Sequence, residues 1–260
     1  MGEFEYRVLG PVEVLGRRGK VSIKASRQRA VLASLLLEAN RVVSIDRLIR
    51  QLWGDAPPAR ARNTVQSLVL RLRKAFAAAH PCQPNDVLVT KQPGYLLQVG
   101  AGQLDLASFD QLAAEGRAAL LDGKPERAAD SLGRALALWR GDPLSDAAGV
   151  GLQEVDVPRL RERRLQAIED RIEVDLMMER YPEVIIEVPA LIAEHPLRER
   201  LYGQLMLALY RANRQAEALE VFQTLRRQLI DELAVEPTSA VQRLHLQMLS
   251  HDPSLEVVSR

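Results

Sequence analysis

The spacing of apolar residues changes near residue 105, and this change limits the possible folds more than any other feature of the chain. Before it, short alternating segments typical of strands flank three helical segments; after it, every apolar segment has helical spacing. The expected helices of the second part span roughly 106–122, 125–139, 154–180, 182–195, 198–212, 215–233 and 237–249. In pairs they form units of about 35 residues, close to the tetratricopeptide period. We therefore expect a mainly α-helical protein with a small β part at its N-terminus.

The first hundred residues predict a small module of strands and helices. Segments 4–8, 12–14 and 21–23 alternate as short strands do. Helices are expected over residues 26–39, with Ser26 as the N-cap, and over residues 45–53 and 59–79. The segment VLVTKQPGYLLQV then predicts a β-hairpin with its turn at Lys91–Gly94. This order of elements is that of a winged helix-turn-helix, whose last helix enters the major groove of DNA.

The third expected helix carries charges of one sign only. Its apolar stripe is predicted to consist of Val65, Leu68, Val69, Leu72 and Phe76. The other faces hold cations and neutral polar groups, and no acidic residue occurs between Arg60 and Ala79. Helices that face only solvent usually mix both signs, because oppositely charged pairs one turn apart stabilise them. The pattern therefore indicates a helix that lies against a polyanion.

Charge is also distributed unevenly along the whole chain. The net charge is +1, but residues 1–100 contain 16 basic and 7 acidic residues, a net charge of +9. Residues 101–260 contain 19 basic and 27 acidic residues, a net charge of −8. A basic N-terminal module joined to an acidic helical one is the asymmetry expected of a nucleic-acid-binding protein.

Composition and motifs argue against several classes of protein. No run approaches the roughly 18–20 consecutive apolar residues that a membrane span needs. The single cysteine, Cys82, excludes an internal disulfide and a cysteine-based zinc cluster. HExxH, GxSxG and glycine-rich phosphate loops are absent from the sequence. We expect a cytoplasmic protein without enzymatic activity, metal, cofactor or membrane partner.

Several long segments carry a resemblance to a known family. In the N-terminal part they are LGPVEV, SRQRAVLASLLLEANRVVS, LIRQLWGDAPP, NTVQSLVLRLRKAF and TKQPGYLLQV. In the C-terminal part they are WRGDPLSD, HPLRERLYGQLMLALYRANRQAEALEVFQTLR and ELAVEP. From about residue 5 to 249, the chain resembles the Streptomyces antibiotic regulatory protein (SARP) family. In that family, an OmpR-type winged helix precedes a bacterial transcriptional activation domain.

The resemblance implies three regions: a winged-helix DNA-binding domain over 1–102, a tetratricopeptide-like activation domain over 103–250, and a tail over 251–260. It also implies an activator that binds direct repeats in double-stranded promoter DNA, with a second protomer on the DNA. Such a protein recruits RNA polymerase holoenzyme, including its sigma factor, to secondary-metabolite genes. Pro189 departs from the family pattern, because the family usually continues a helix there.

Candidate DNA-binding residues follow from the helix and from the resemblance. They are Arg60, Arg62, Asn63, Thr64, Gln66, Ser67, Leu70, Arg71, Arg73 and Lys74 near or on the third helix, Lys91 in the hairpin turn, and Arg27 and Arg29 at the first-helix start. Arg71 is expected at the groove floor, where its planar guanidinium suits guanine, and Arg73 at a phosphate. For all of these residues, the alternative is an ordinary solvated surface.

The loop between the second and third helices is a candidate contact with polymerase. In the SARP family this loop faces the polymerase, so the resemblance points to Asp55 and Pro57 as sigma-factor contacts. A plain linker is the alternative. For the whole chain, two other functions stay open: a helical-repeat adaptor that binds proteins, and a repressor with only nonspecific affinity for DNA.

Overall fold

The computed structural model describes residues 4–17, 19–79 and 87–255. Residues 80–86, which include Cys82, lie outside the described residues, as does the end of the predicted tail, 256–260.

The N-terminal part contains two antiparallel sheets of three strands. The first has β1 (Phe4–Arg7), β2 (Glu13–Gly16) and β3 (Gly19–Lys20) in that order; the second has β4 (Val43–Ser44), β5 (Leu88–Lys91) and β6 (Gly94–Leu97) in the order β4-β6-β5. The prediction of a strand over 21–23 was wrong. The N–H of Val21 still donates to the carbonyl of Val14 at 2.8 Å, but the pairing stops there because the chain turns away toward the first helix.

Strands β5 and β6 form the predicted hairpin, and a glycine joins it to β4. Gly94 lies opposite Lys91 of β5 and also opposite Ser44 of β4. A Cβ atom at position 94 would overlap the carbonyl oxygen of Val43 and lie 2.7 Å from the Cα of Ser44. Only glycine therefore allows the three strands to pair at this point.

Three helices complete the winged helix-turn-helix. They are α1 (Ser26–Leu37), α2 (Ile45–Trp53) and α3 (Ala61–Ala79), and each packs against the other two. The Ser44 hydroxyl caps α2 by accepting a hydrogen bond from the N–H of Arg47 at 3.1 Å, and Gly54 ends α2 at φ +60°. The predicted apolar stripe of α3 is buried: Val65, Leu68, Val69, Leu72 and Phe76. Burial of this stripe turns the polar face of α3 outward.

Helices make up most of the remaining chain. They are α4 (Asp105–Leu121), α5 (Pro125–Ala137), α6 (Val157–Met177), α7 (Tyr181–Glu194), α8 (Glu199–Arg211), α9 (Gln215–Leu233) and α10 (Ser239–Leu249), with a π-helical turn at Leu152–Asp156 and a 3₁₀ turn at Pro253–Leu255. Helix α8 packs against α7, α9 and α10. The predicted mainly α-helical class and all seven predicted helices are confirmed. No helix in the described ranges has the length and apolar character needed to cross a membrane.

Pro189 lies inside α7 without ending the helix. Proline cannot donate the hydrogen bond to the carbonyl four residues earlier, so it weakens a helix locally. Val184 and Val188 are 1% and 0% exposed, and α7 packs along α8. The burial of these side chains stabilises α7 around the site of the missing hydrogen bond, so the helix continues past Pro189.

The chain forms two compact units. The first comprises residues 1–114 and 133–166, and the second comprises residues 115–132 and 167–260. The first unit thus contains the winged helix together with residues 133–166, which come later in the sequence. In the second unit, the buried carboxylates of Glu169 and Asp170 form ion pairs with Arg198 and Arg200, which connects α6 with the start of α8.

Candidate nucleic-acid interface

The outward face of α3 is polar and accessible over four turns. Its exposed residues are Arg62, Asn63, Gln66, Ser67, Leu70, Arg71 and Lys74, with Arg60 exposed just before the helix and Thr64 half-buried. Among the described residues, neither the Arg71 guanidinium nor the Lys74 ammonium has a hydrogen-bond or ion-pair partner. Both cations are therefore available to a ligand.

Three further polar residues of this face interact locally. Arg62 forms an ion pair with Asp46 at 3.0 Å, with side chains 57% and 70% exposed. So exposed a pair contributes about 0–1 kcal/mol, and a phosphate could replace the carboxylate at little cost. The hydroxyls of Thr64 and Ser67 donate to the helix carbonyls four residues earlier, at 3.1 and 2.9 Å.

Arg73 joins α3 to the hairpin. Its guanidinium donates two hydrogen bonds to the carbonyl of Leu88, at 3.0 and 2.7 Å, and one to the hydroxyl of Thr90 at 2.7 Å. The guanidinium also lies 5.9 Å from the ring centroid of Tyr95. These contacts occupy Arg73 within the protein, and its expected phosphate contact remains a prediction. No sequence pattern indicates this role, because the sequence shows only that position 73 holds a cation.

The hairpin presents one cation at its turn. Lys91 is the last residue of β5, is exposed, and lies opposite Gly94. The hydrogen bonds of Arg73 hold the hairpin against α3, and the pairing of β6 with β4 joins it to the rest of the sheet. Its predicted contact with DNA stays a prediction.

The two candidates at the start of α1 have different surroundings. Arg29 forms an ion pair with Asp146 at 3.0 Å, and its guanidinium also donates to the carbonyl oxygens of Asp146 and Ile23, at 2.9 and 2.8 Å. Arg27 is exposed, with its guanidinium carbon 5.8 Å from the ring centroid of Trp53. Arg27 therefore has the freer guanidinium, while that of Arg29 is used inside the first unit.

Ser26 does not cap α1, contrary to its predicted role. Its hydroxyl donates to the carbonyl of Asp146 at 2.7 Å and accepts from the N–H of Ala148 at 2.8 Å. The Asp146 carboxylate in turn accepts the N–H of Val12 at 2.8 Å. Residues 146–148 thus connect the start of α1 to the first sheet.

A second carboxylate from beyond residue 102 holds the end of β1. Asp105 is 9% exposed and accepts the N–H groups of Val8 and Leu9, at 2.9 and 3.0 Å. Burial raises the pKa of this carboxyl, while its hydrogen bonds with the backbone lower it. The N–H of Arg140 donates to the carbonyl of Leu9 at 2.8 Å. Sequence reasoning missed the contacts of both carboxylates. Asp105 lies in none of the segments that carry the family resemblance, and Asp146 ends one of them, WRGDPLSD, without any sign of which backbone groups it would bind.

The polymerase-contact candidates are accessible. Asp55 and Pro57 are exposed in the loop between α2 and α3, residues 54–60. Gly54, where the loop begins, would place an added Cβ 3.5 Å from the side chain of Val150, so the base of the loop is packed within the first unit. Asp55 and Pro57 are therefore exposed next to a glycine that packs against Val150.

Two family models match the chain. The model described as bacterial transcriptional activator domain matches residues 104–249, and the model described as transcriptional regulatory protein, C terminal, matches residues 19–97. The second match covers the helices and hairpin that carry the candidate DNA-binding residues. The first covers helices α4–α10.

Relatives match over nearly the whole chain. Transcriptional regulator RedD of Streptomyces coelicolor is 36% identical over 259 residues, which is 99% of this chain and 74% of the relative. A solved structure of Mycobacterium tuberculosis EmbR in complex with a low affinity phosphopeptide superposes with a TM-score of 0.88 at 33% identity, over 96% of this chain and 66% of that chain. Regulatory protein DnrI of Streptomyces peucetius is 38% identical over 257 residues, 97% of this chain and 94% of the relative. Both family models match in this order, and the Streptomyces relatives align over nearly the whole chain. The chain therefore belongs to the Streptomyces antibiotic regulatory protein family of transcriptional regulators.

Proposed function

We propose that this regulator is a sequence-specific activator that binds promoter DNA through α3 and the β5–β6 hairpin. The observation that carries the proposal is the outward face of α3, which presents unpaired cations and neutral polar groups. The buried apolar stripe on the opposite side holds this helix in place. A rigid helix of this kind fits the major groove, and the hairpin then lies by the adjacent backbone or minor groove. Such a protein acts where bacterial promoters are, in the cytoplasm.

The side chains of the face divide into two roles. Arg71 reads guanine, because its planar guanidinium can donate to O6 and N7 together. Lys74, one turn from Leu70, and Asn63 and Thr64 near the helix start contact phosphates, which set the register on DNA without reading sequence. Lys91 approaches the minor groove from the hairpin turn.

The operator is proposed to be a direct repeat. Modules of this kind read head-to-tail sites about 10–11 bp apart, one helical turn, so two protomers stand on one face of the duplex. Because the family is named for antibiotic regulation, the regulated genes are proposed to be those of secondary-metabolite biosynthesis.

The test is selection of bound duplexes from a random pool with the full chain, followed by affinity measurements against salt. Enrichment of a direct repeat is expected. On that operator, Arg71→Ala should weaken the free energy of DNA binding by about 1–3 kcal/mol and relax the preference at one base pair. Lys74→Ala should weaken all sequences alike and make the salt slope shallower by about 1.

A matched control removes a charge elsewhere. Arg127 is an exposed arginine of α5, and Arg127→Ala should leave both affinity and salt slope unchanged. Salt-sensitive binding without any enriched sequence would contradict specific recognition. That result would favour the alternative function, a helical-repeat adaptor that binds proteins and has only nonspecific affinity for DNA.

Recruitment of RNA polymerase holoenzyme is proposed to use the 54–60 loop. Asp55→Ala and Pro57→Ala should reduce transcription from an operator-bearing promoter in a purified system while DNA affinity stays constant. For Asp55 the reduction should be about tenfold, because a hydrogen bond to a charged group contributes about 1.5–3 kcal/mol. Full transcription by both variants would exclude this loop as the sigma-factor contact.

A further inference from the structure

Leu70 is exposed in an unusual place. Its side chain is on the outward face of α3 and the residue is 53% exposed. Over residues 4–17, 19–79 and 87–102, it is the only leucine, isoleucine, valine, methionine or aromatic residue in the exposed class. All other large apolar side chains of this part are at least partly covered, so the exception needs a local explanation.

The surroundings of Leu70 argue against a protein-docking patch. Gln66 and Ser67 precede it by one turn, Arg71 follows it directly, and Lys74 lies one turn later, and all four are exposed. Surfaces that bind protein partners through apolar contact are contiguous patches of several hundred Å². A single leucine enclosed by polar and cationic groups offers no such patch, but it does stand in the middle of the candidate DNA-reading face.

The major groove offers one distinctive apolar feature along its floor. This feature is the C5-methyl group of thymine, which protein side chains recognise by apolar contact rather than by hydrogen bonds. We propose that Leu70 reads a thymine methyl in the operator and thereby determines part of the sequence preference. This inference rests on the proposed function, because it requires α3 to lie in the major groove.

The position of the thymine follows from the helix. Leu70 and Arg71 are consecutive, so their Cα atoms are separated by about 1.5 Å along the helix axis, less than the step between base pairs. The thymine read by Leu70 therefore lies within about two base pairs of the guanine read by Arg71, in each half of the direct repeat. The two side chains read different chemistry, one a methyl group and the other a pair of acceptors.

Uracil differs from thymine only by lacking this methyl group, so it provides a direct test. Each thymine of the selected operator is replaced in turn by uracil, and the Kd of the full chain is measured. At one position in each half-site, uracil should raise the Kd about three- to fivefold, as expected for one buried methyl group. With Leu70→Ala, uracil and thymine should bind equally at that position, because the contacting side chain is gone.

Two controls separate this role from a structural or electrostatic one. Leu121 is 83% exposed on α4, and Leu121→Ala should keep the full discrimination between thymine and uracil. Leu70→Ala should leave the melting temperature and the salt slope unchanged, since Leu70 is exposed and uncharged. By contrast, Lys74→Ala alters the salt slope.

Each outcome decides the matter. If no uracil substitution changes the Kd, or if the same penalty persists in Leu70→Ala, the thymine assignment is wrong. The enriched operator and the loss caused by Arg71→Ala would then still support the proposed function. If no operator is enriched at all, both the proposed function and this inference are overturned.

Discussion

Asp105→Ala is expected to lower the free energy of unfolding of the first unit by about 3–5 kcal/mol. The carboxylate accepts the N–H groups of Val8 and Leu9, residues that are both 0% exposed. Alanine would leave both donors buried without a partner, which costs about 1–3 kcal/mol each. It would also remove the acceptor that the N–H of Leu106 uses at the start of α4, at 2.8 Å.

Urea denaturation followed by tryptophan fluorescence measures this loss. The chain has two tryptophans, Trp53 and Trp139, and both belong to the first unit. Asp110→Ala on the same helix is the matched control. Its partner Arg163 is 3.0 Å away with both side chains about half-exposed, so removal should change stability by under about 1 kcal/mol. Equal effects of the two substitutions would show that the buried hydrogen bonds of Asp105 contribute little.

Gly94→Ala is expected to separate the hairpin from β4 and to lower stability by about 3 kcal/mol or more. The added Cβ would overlap the carbonyl of Val43, and this obstacle is backbone that cannot rotate away. The pairing of Gly94 with Ser44 would open, and the hairpin would lose its fixed position beside α3. Specific DNA affinity should fall with it, which the operator-binding assay would detect.

Gly133→Ala is the control for this substitution. Gly133 lies inside α5, and its added Cβ would meet no atom within 4 Å. Alanine there should raise stability by about 0.5–1 kcal/mol, because glycine is the weaker helix former. Unchanged urea midpoints for Gly94→Ala would contradict the steric argument.

The sequence predicted the elements better than the contacts between them. Helical spacing is a local property, so the helices and the buried stripe of α3 could be read directly from residues such as Leu68 and Leu72. Pairing partners are not local. The hydrogen bonds from Val8 and Leu9 to Asp105 join residues nearly a hundred positions apart, and no pattern within either segment indicates the other.

The candidate site shows the same division. Sequence reasoning correctly predicted which side of α3 faces outward, because the apolar stripe fixes the helix rotation. It did not predict that Arg73 turns back to Leu88, since a cation beside a polar face is compatible with either phosphate or backbone carbonyl. The role of Arg29 was ambiguous in the same way, because only the folded structure shows that it pairs with Asp146.

The domain boundary at residue 102 remains a prediction. The two matched family regions end and begin at residues 97 and 104, close to the predicted position. The compact units divide differently, since the first includes residues 133–166. Periodicity identifies where one kind of element stops, whereas compactness depends on which segments pack together.

The hydrogen bonds from Arg73 to β5 have a consequence for how binding energy is used. A hairpin that is mobile in the free protein must be immobilised on binding, and the lost conformational freedom reduces affinity. Here the guanidinium already fixes the carbonyl of Leu88 and the hydroxyl of Thr90 to α3 before any DNA is present. The hairpin is therefore ordered before binding, so the contact with DNA that we propose for Lys91 loses less affinity to conformational ordering.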